Sequence, residues 1–260
     1  MCTIFVAKDV FAGFPLVVAA NRDELLDRPS EPPSISERMR QNNPSEKIKI
    51  LAPRDLVRGG MWVGTNENGV LIGLTNRLNV KSVKGRMSRG KIVSDALESR
   101  TAMEAFESIS KLSGDFFNGF YLVAADASNL YTIDGDGIRI HTCQETNPGF
   151  VVISNHGIGR EITSDTPRRV INTLTAAEDI DNKEPIPENL QVILDVHSEC
   201  RYGTCINEPE NNYGTKSSSI IRLNAVNQQW DYWHRERNGS QHICNEVFQP
   251  RRVLKIIGSC

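Results

Sequence analysis

A cysteine directly after the initiator methionine is the first residue of this sequence that could act as a nucleophile. The small second side chain predicts removal of Met1, which would leave Cys2 with a thiol and a free α-amine. Such an amine has a pKa of about 7.7 to 8, so it can serve as a general base near neutral pH. We expect that ammonium or a nearby arginine to lower the pKa of the thiol. A chance Met-Cys start is the alternative interpretation.

A polar run, Asn21 to Glu24, ends the apolar stretch that follows the first strand. Polar groups at the end of a buried strand are costly unless they are bonded or used. Side chains alternate along a strand, so Asn21 and Asp23 share one face of the expected hairpin partner of the first strand. We predict that Asp23 holds the α-amine of Cys2 and that Arg22 contacts the sulfur or a substrate carboxylate. A purely structural Arg–Asp ion pair is the alternative.

The elements that must position these residues are mostly strands. Period-two alternation recurs along the chain, and Asn68-Gly69, Asp134 to Gly137 and Asn238-Gly239 are typical hairpin turns. Four helices are predicted in two pairs, the first pair over 90–112 and the second over 166–199. This order predicts an α+β fold, a four-layer αββα sandwich of two antiparallel sheets. We expect a single domain over 1–260, with 30–45 as a surface loop.

Composition excludes several classes of function. The chain has 260 residues, a formal net charge of −2 and 39% hydrophobic residues, with its basic residues scattered rather than clustered. This pattern predicts no nucleic-acid partner. Apolar stretches are too short for a membrane span or a secretory signal, which favours a cytoplasmic protein. The oligomeric state is left open.

Six cysteines are too few and too irregularly spaced for a disulfide framework. The nearest approach to a ligand cluster is His197, Cys200 and Cys205, with His242 and Cys244 further along. A C-x4-C spacing with one upstream histidine matches no common zinc pattern, so no metal and no cofactor is predicted. The roles of the cysteines other than Cys2 are left open; these are Cys143, Cys200, Cys205, Cys244 and Cys260.

Several motifs together resemble one family. They are the opening MC, AANRDE, DRPS, GGMWVGTNENGVLIGLTN, NGFYLVAAD, VVISN and YGTKSSSII, in that order along nearly the whole chain. On these motifs the chain is similar to the NRDE family, the transport and Golgi organisation protein 2 homologues. That resemblance implies two alternative roles, one in lipid metabolism and one in haem trafficking.

The N-terminal pattern also resembles the N-terminal-nucleophile hydrolases of the cholylglycine hydrolase and isopenicillin N acyltransferase type. Their four-layer αββα fold agrees with the expected layers. The resemblance implies that Cys2 attacks an amide or thioester carbonyl, that Asp23 positions the amine, and that Asn76 and Asn155 bind the oxyanion. In those hydrolases an arginine lies three residues before the aspartate, where this chain has Ala20.

Three further residues are assigned to substrate binding, namely Asn21, Trp62 and Lys216. Gly59 and Gly60 before Trp62 predict a close backbone approach. The function predicted is an N-terminal cysteine hydrolase or acyltransferase for a small amide or thioester substrate. The alternative is a non-enzymatic protein that binds a lipid, an acyl-CoA or haem in the same cleft.

Overall fold

The computed structural model of the chain describes residues 2–41, 43–145, 148–180, 183–198, 202–239 and 241–257. Its strands form two antiparallel sheets. The first sheet has the order β11-β10-β1-β2-β13-β14-β15, with the short β12 paired to β13. The second has the order β3-β4-β5-β6-β7-β8-β9. The predicted pair of antiparallel sheets is therefore confirmed.

The strands of the first sheet are β1 Cys2–Phe11, β2 Phe14–Leu25, β10 Gly149–Ser154, β11 Gly157–Gly159, β12 Asn207–Glu208, β13 Tyr213–Asn224, β14 Gln229–Glu236 and β15 Arg252–Lys255. Those of the second sheet are β3 Ser30–Arg40, β4 Asn43–Asp55, β5 Val63–Asn66, β6 Leu71–Asn76, β7 Phe120–Ala125, β8 Leu130–Gly135 and β9 Ile140–Glu145. The sheets pack face to face over an apolar core that includes Ile4 and Val18 from one sheet and Leu71 and Val123 from the other.

Two helices cover the outer face of each sheet. The helices are α1 Arg89–Ala96, α2 Ala102–Ser110, α3 Arg168–Ala177 and α4 Pro187–Leu194. Apolar residues of α1 and α2 pack on the second sheet, and those of α3 and α4 pack on the first. The four-layer αββα prediction is thus correct. Among the described residues, no helix combines the length and the apolar character that crossing a membrane requires.

A β-bulge in the first hairpin sets the register of the strands that carry the polar run. Phe11 pairs with Phe14 at the turn, but the register shifts by one residue between Lys8 and Phe11, where Asp9 has a φ of 55°. Cys2 therefore pairs with Arg22, whereas an unbulged hairpin from the same turn would pair it with Asp23. A shift of one residue exchanges the two faces of a strand.

Two predictions about loops are wrong. Residues 30–45 are not a surface loop, because most of this segment forms the β3-β4 hairpin. Exposed side chains alternate with few buried ones along β3, and the register shifts between Glu31 and Ser34 at the two prolines, so the sequence lacks a clear strand pattern. The Asn238-Gly239 turn leads from β14 into a 3₁₀ turn at Ile243–Asn245 rather than directly into a strand.

Close backbone contact explains the glycine pair before Trp62. A Cβ atom at Gly60 would lie 2.8 Å from the Cα and carbonyl carbon of Gly90, at the start of α1. Gly59 has a φ of 71°, in the left-handed region that favours glycine. These two glycines let the segment before β5 pack directly on α1, which places Trp62 beside the end of β2.

Candidate active site

Cys2 and Arg22 lie side by side at the end of the first hairpin and line the same cleft. The Arg22 guanidinium forms a buried ion pair with Asp55 at 2.8 Å and lies 4.6 Å from the centre of the Trp62 ring. Arg28 donates to the same carboxylate at 2.7 Å. The Arg22 Nη1 atom is buried and has no hydrogen-bond partner among the described residues, so its donor capacity is unused.

The backbone nitrogen of Cys2 donates to the side-chain oxygen of Asn155 at 2.5 Å. The Asn155 amide nitrogen in turn donates to the carbonyl of Asn76 at 2.9 Å. This chain of contacts joins the start of β1 to the ends of β10 and β6. Within the described residues, the Asn76 side chain has no hydrogen-bond partner, and it lines the cleft. Asn155 thus holds the nitrogen of Cys2, while Asn76 keeps its amide free.

Burial raises the pKa of the Cys2 thiol above its ordinary value, and this effect outweighs the others. The amino-terminal charge lowers the pKa, as do Arg22 and the backbone N–H of Asp23, which donates to the sulfur; the Asp23 carboxylate raises it. The lowered thiol pKa expected from the sequence is therefore not found in the intact chain. Desolvation exceeds the favourable charges because Cys2 lies between two sheets.

The Asp23 carboxylate points toward the helical layer on the opposite face of β2. It forms an ion pair with Arg169 of α3 and accepts a hydrogen bond from Thr215 at 2.7 Å. Arg169 also donates to the hydroxyl of Thr3 at 2.5 Å. Asp23 and Arg169 are both fully buried. The prediction that Asp23 lies on the Cys2 face of β2 is wrong, because the bulge exchanges the faces of the hairpin and puts Arg22 there.

Two residues assigned to substrate binding have structural contacts instead. Asn21 lies on the helical face and donates to the carbonyls of Leu194 and Thr204 at 2.7 and 2.8 Å. Lys216, at a register shift in β13, donates to the carbonyls of Leu26 and Arg28 at 3.0 and 2.5 Å, which fixes the chain after β2. Neither lines the cleft around Cys2, whereas the third residue of this group, Trp62, does.

The cleft has a volume of about 590 Å³ and carries an excess of positive charge. Six basic residues line it, against three acidic ones. The basic residues are Arg22, Arg28, Arg58, Lys84, Arg86 and Arg89. Arg22 and Arg28 are already paired with Asp55, but the other four have no acidic partner among the described residues. A cleft with this charge attracts anions.

Sequence reasoning missed two residues that organise the site. Asp55 lies at the end of β4 and gathers Arg22 and Arg28, while also accepting from the backbone of Arg58 at 2.8 Å. Arg169 is not among the predicted site residues, yet it is fully buried. The signal was present for Arg169, since Thr173 follows one helical turn later on the buried face of α3. Asp55 could not be predicted in this way, because its partner Arg22 is remote in sequence and no local pattern links the two residues.

A second cluster of reactive side chains lies near the C-terminal end of α4, beside Asp195. Ligand atoms of His197, Cys205, His242 and Cys244 are all within 4.8 Å of one another. The sequence predicted no metal site because these residues come from segments about 40 residues apart and match no compact motif. Cys200 and Cys260 lie outside the described residues, and Cys143 is exposed.

Residues 1–238 match the family model described as Transport and Golgi organisation 2. The chain belongs to this family. A mouse member, the Transport and Golgi organization 2 homolog, is 30% identical over 207 residues, which are 75% of this chain and 71% of the mouse protein. A human homolog is 29% identical over 207 residues, which are 75% of this chain and 71% of the human protein. Family membership agrees with the resemblance carried by the NRDE and GGxWxG motifs.

Solved structures show the same fold. A Caenorhabditis elegans ortholog of N-acylethanolamine-hydrolyzing acid amidase has a TM-score of 0.58 at 15% identity and covers 85% of this chain and 92% of its own. The C2A mutant of conjugated bile acid hydrolase from Clostridium perfringens has a TM-score of 0.55 at 10% identity, with 99% and 97% covered. This member of the Transport and Golgi organisation 2 family therefore has an N-terminal-nucleophile hydrolase fold.

Proposed function

We propose that the protein is an N-terminal cysteine hydrolase or acyltransferase for a small amide or thioester substrate that carries an anionic group. The observation that supports this most is the bond from the Cys2 nitrogen to Asn155, at the edge of a cleft of about 590 Å³. After removal of Met1, that nitrogen becomes the α-amine. Asn155 then holds the base beside the sulfur that it must deprotonate.

The chemistry follows from these positions. The α-amine takes the thiol proton, and the Cys2 sulfur attacks the carbonyl carbon to form a tetrahedral oxyanion. The free Asn76 amide is our candidate donor to that oxyanion, an interaction worth about 3 to 4 kcal/mol of barrier in comparable sites. The ammonium returns its proton to the departing amine or thiol, leaving an acyl thioester on Cys2. Water then releases the acid, or a second acceptor takes the acyl group.

In this proposal, removal of Met1 activates the Cys2 thiol. In the intact chain, burial raises the pKa of the Cys2 thiol, so the sulfur is poorly ionised near neutral pH. Processing moves the amino-terminal charge onto Cys2 itself and supplies a base in direct reach of the thiol. We expect the processed form to be the active one.

The charge of the cleft indicates the substrate class. Arg58 and Arg89 line the cleft without an acidic partner among the described residues, and Arg22 has a free buried Nη1 atom. A carboxylate or phosphate on the substrate would pair with these guanidinium groups, which bind such anions in a bidentate manner. Acyl amides with a carboxylate and acyl-CoA thioesters both have this character.

A matched pair of substrates tests the proposal. We expect the processed protein to hydrolyse an acyl amide whose leaving group carries a carboxylate at least 10-fold more efficiently than its methyl ester, because only the acid pairs with the arginines. Release of the free acid by chromatography gives kcat/KM for each. Equal rates would contradict the substrate class, and no turnover of amides or of acyl-CoA would contradict the activity.

The basic cleft also supports a second candidate function, the binding of an anionic lipid, acyl-CoA or haem without turnover. Its excess of positive charge fits the carboxylates or phosphates of such ligands. Equilibrium dialysis with acyl-CoA and with haem, followed by recovery of the ligand, separates the two functions. Stoichiometric binding with the ligand recovered intact favours a carrier, whereas recovery of the free acid favours the enzyme.

A further inference from the structure

The cluster around Cys205 contains the donor types of a structural zinc site. Two thiols and two imidazoles form the set, and their ligand atoms lie within 4.8 Å of one another. In a tetrahedral zinc site with ordinary Zn–S and Zn–N bonds, the ligand atoms are about 3.3 to 3.8 Å apart. The Cys205 and Cys244 sulfurs are 3.2 Å apart, and the His197 Nε2 atom is 3.4 Å from the Cys244 sulfur. Shifts of about an ångström would complete the tetrahedron.

We propose that His197, Cys205, His242 and Cys244 bind one zinc ion in a closed Cys2His2 site. Four protein ligands leave no open position, so the role is structural rather than catalytic. Each thiol releases its proton to solvent on binding, and the two thiolates balance the charge of the ion. This site is separate from the cleft around Cys2, and its existence does not depend on the proposed function.

The surroundings favour a cation. The Asp195 carboxylate lies 3.4 Å from the Cys244 sulfur and is held by an ion pair with the buried Arg235. Its negative charge lies next to the ligand set and attracts a cation there. Two imidazole rings beside the thiols, with centroids 4.9 Å apart, distinguish the cluster from a cysteine pair suited only to a disulfide.

The ion would join segments that are distant along the chain. His197 and Cys205 lie in the described loop residues after α4, 195–198 and 202–206. His242 and Cys244 lie at the 3₁₀ turn after β14, beyond residue 238, where the family match ends. The loop also carries Thr204, whose carbonyl accepts a hydrogen bond from Asn21. Zinc would therefore fix the C-terminal segment against the loop that supports β2.

Zinc content of the untagged full-length protein, purified without chelator, tests this inference. We expect inductively coupled plasma mass spectrometry to find about one zinc per chain. Substitution of Co²⁺ for zinc should give the visible absorption bands of a tetrahedral site and a thiolate charge-transfer band. Cys205→Ser and Cys244→Ser should lose the metal, and Cys143→Ser, at an exposed cysteine, should retain it. His197→Gln changes an exposed ligand and should fold, with at least 10-fold weaker zinc binding.

The contrary results are distinct. Protein that contains no zinc and does not bind Co²⁺ at micromolar concentration overturns the site, as does full retention of zinc by His197→Gln. Alkylation and mass mapping of the metal-free protein test for a Cys205–Cys244 disulfide. Such a disulfide, in protein that cannot take up zinc after reduction, also overturns the site. None of these results bears on turnover at Cys2, which is measured separately.

Discussion

Replacing Cys2 by alanine is expected to lower the turnover of an acyl substrate by at least about 10³-fold, because no other group can form the acyl thioester. Cys2 lies at the cleft edge and is partly exposed, so we expect the thermal midpoint to change by no more than a few degrees. Initial rates and a thermal melt of the same preparation are the measurements.

Cys143→Ala is the matched control, since Cys143 is exposed on β9, away from the residues that line the cleft. It should retain full activity. A Cys2→Ala protein that keeps more than a tenth of the rate would exclude covalent catalysis by Cys2. Loss of activity together with loss of the folded state would call for Cys2→Ser, which retains the shape of the side chain.

Replacing Arg169 by methionine is expected to lower the free energy of unfolding by about 3 to 5 kcal/mol, because it removes the guanidinium that pairs with the fully buried Asp23 carboxylate. It also removes the donor to the Thr3 hydroxyl. Urea unfolding followed by tryptophan fluorescence measures the change.

Arg168→Met provides the control, since Arg168 is the exposed neighbour on the same helix. We expect its effect to stay within about 0.5 kcal/mol. Adding Asp23→Asn to Arg169→Met should recover part of the loss, since the uncompensated charge is then removed. A loss below about 1 kcal/mol in Arg169→Met would contradict the structural importance of this ion pair.

The layers of the fold could be predicted because each follows from a local pattern. Alternating apolar residues identified most strands. The start of α2 also has a local pattern, in which the Thr101 hydroxyl accepts from the Glu104 backbone at 3.1 Å. The hairpin β3-β4 escaped prediction because its exposed, proline-containing first strand resembles a loop. Pairing with the adjacent strand β4, rather than the strand preference of its own residues, makes this segment a strand.

The membership of the site was largely predictable, but its geometry was not. Cys2, Arg22 and Asn76 line one cleft, and Asn155 bonds to Cys2 and to the backbone of Asn76. A single bulge near Asp9 then decides which of two adjacent residues shares the face of Cys2. Residues on both faces of β2 are buried, so its sequence does not alternate between apolar and polar residues. The sequence pattern therefore does not reveal the bulge.

Contacts between residues that are far apart in sequence also could not be predicted. The pairing of Arg22 with Asp55 depends on how the two sheets meet. The cluster around Cys205 is formed by two segments on either side of β13 and β14. Only tertiary packing brings such groups together. The sequence predicted neither grouping, because no short motif links Arg22 with Asp55 or the two histidines with the two cysteines.

The most direct test of the central claim is the intact mass of the purified protein before and after brief treatment with a thiol-directed electrophile, with the modified residue mapped. The account predicts that the protein lacks Met1 and that Cys2 is labelled faster than the other five cysteines, because the free α-amine activates it. Retention of Met1, or labelling of Cys2 no faster than of the exposed Cys143, would contradict an activated N-terminal nucleophile and would favour ligand binding without catalysis.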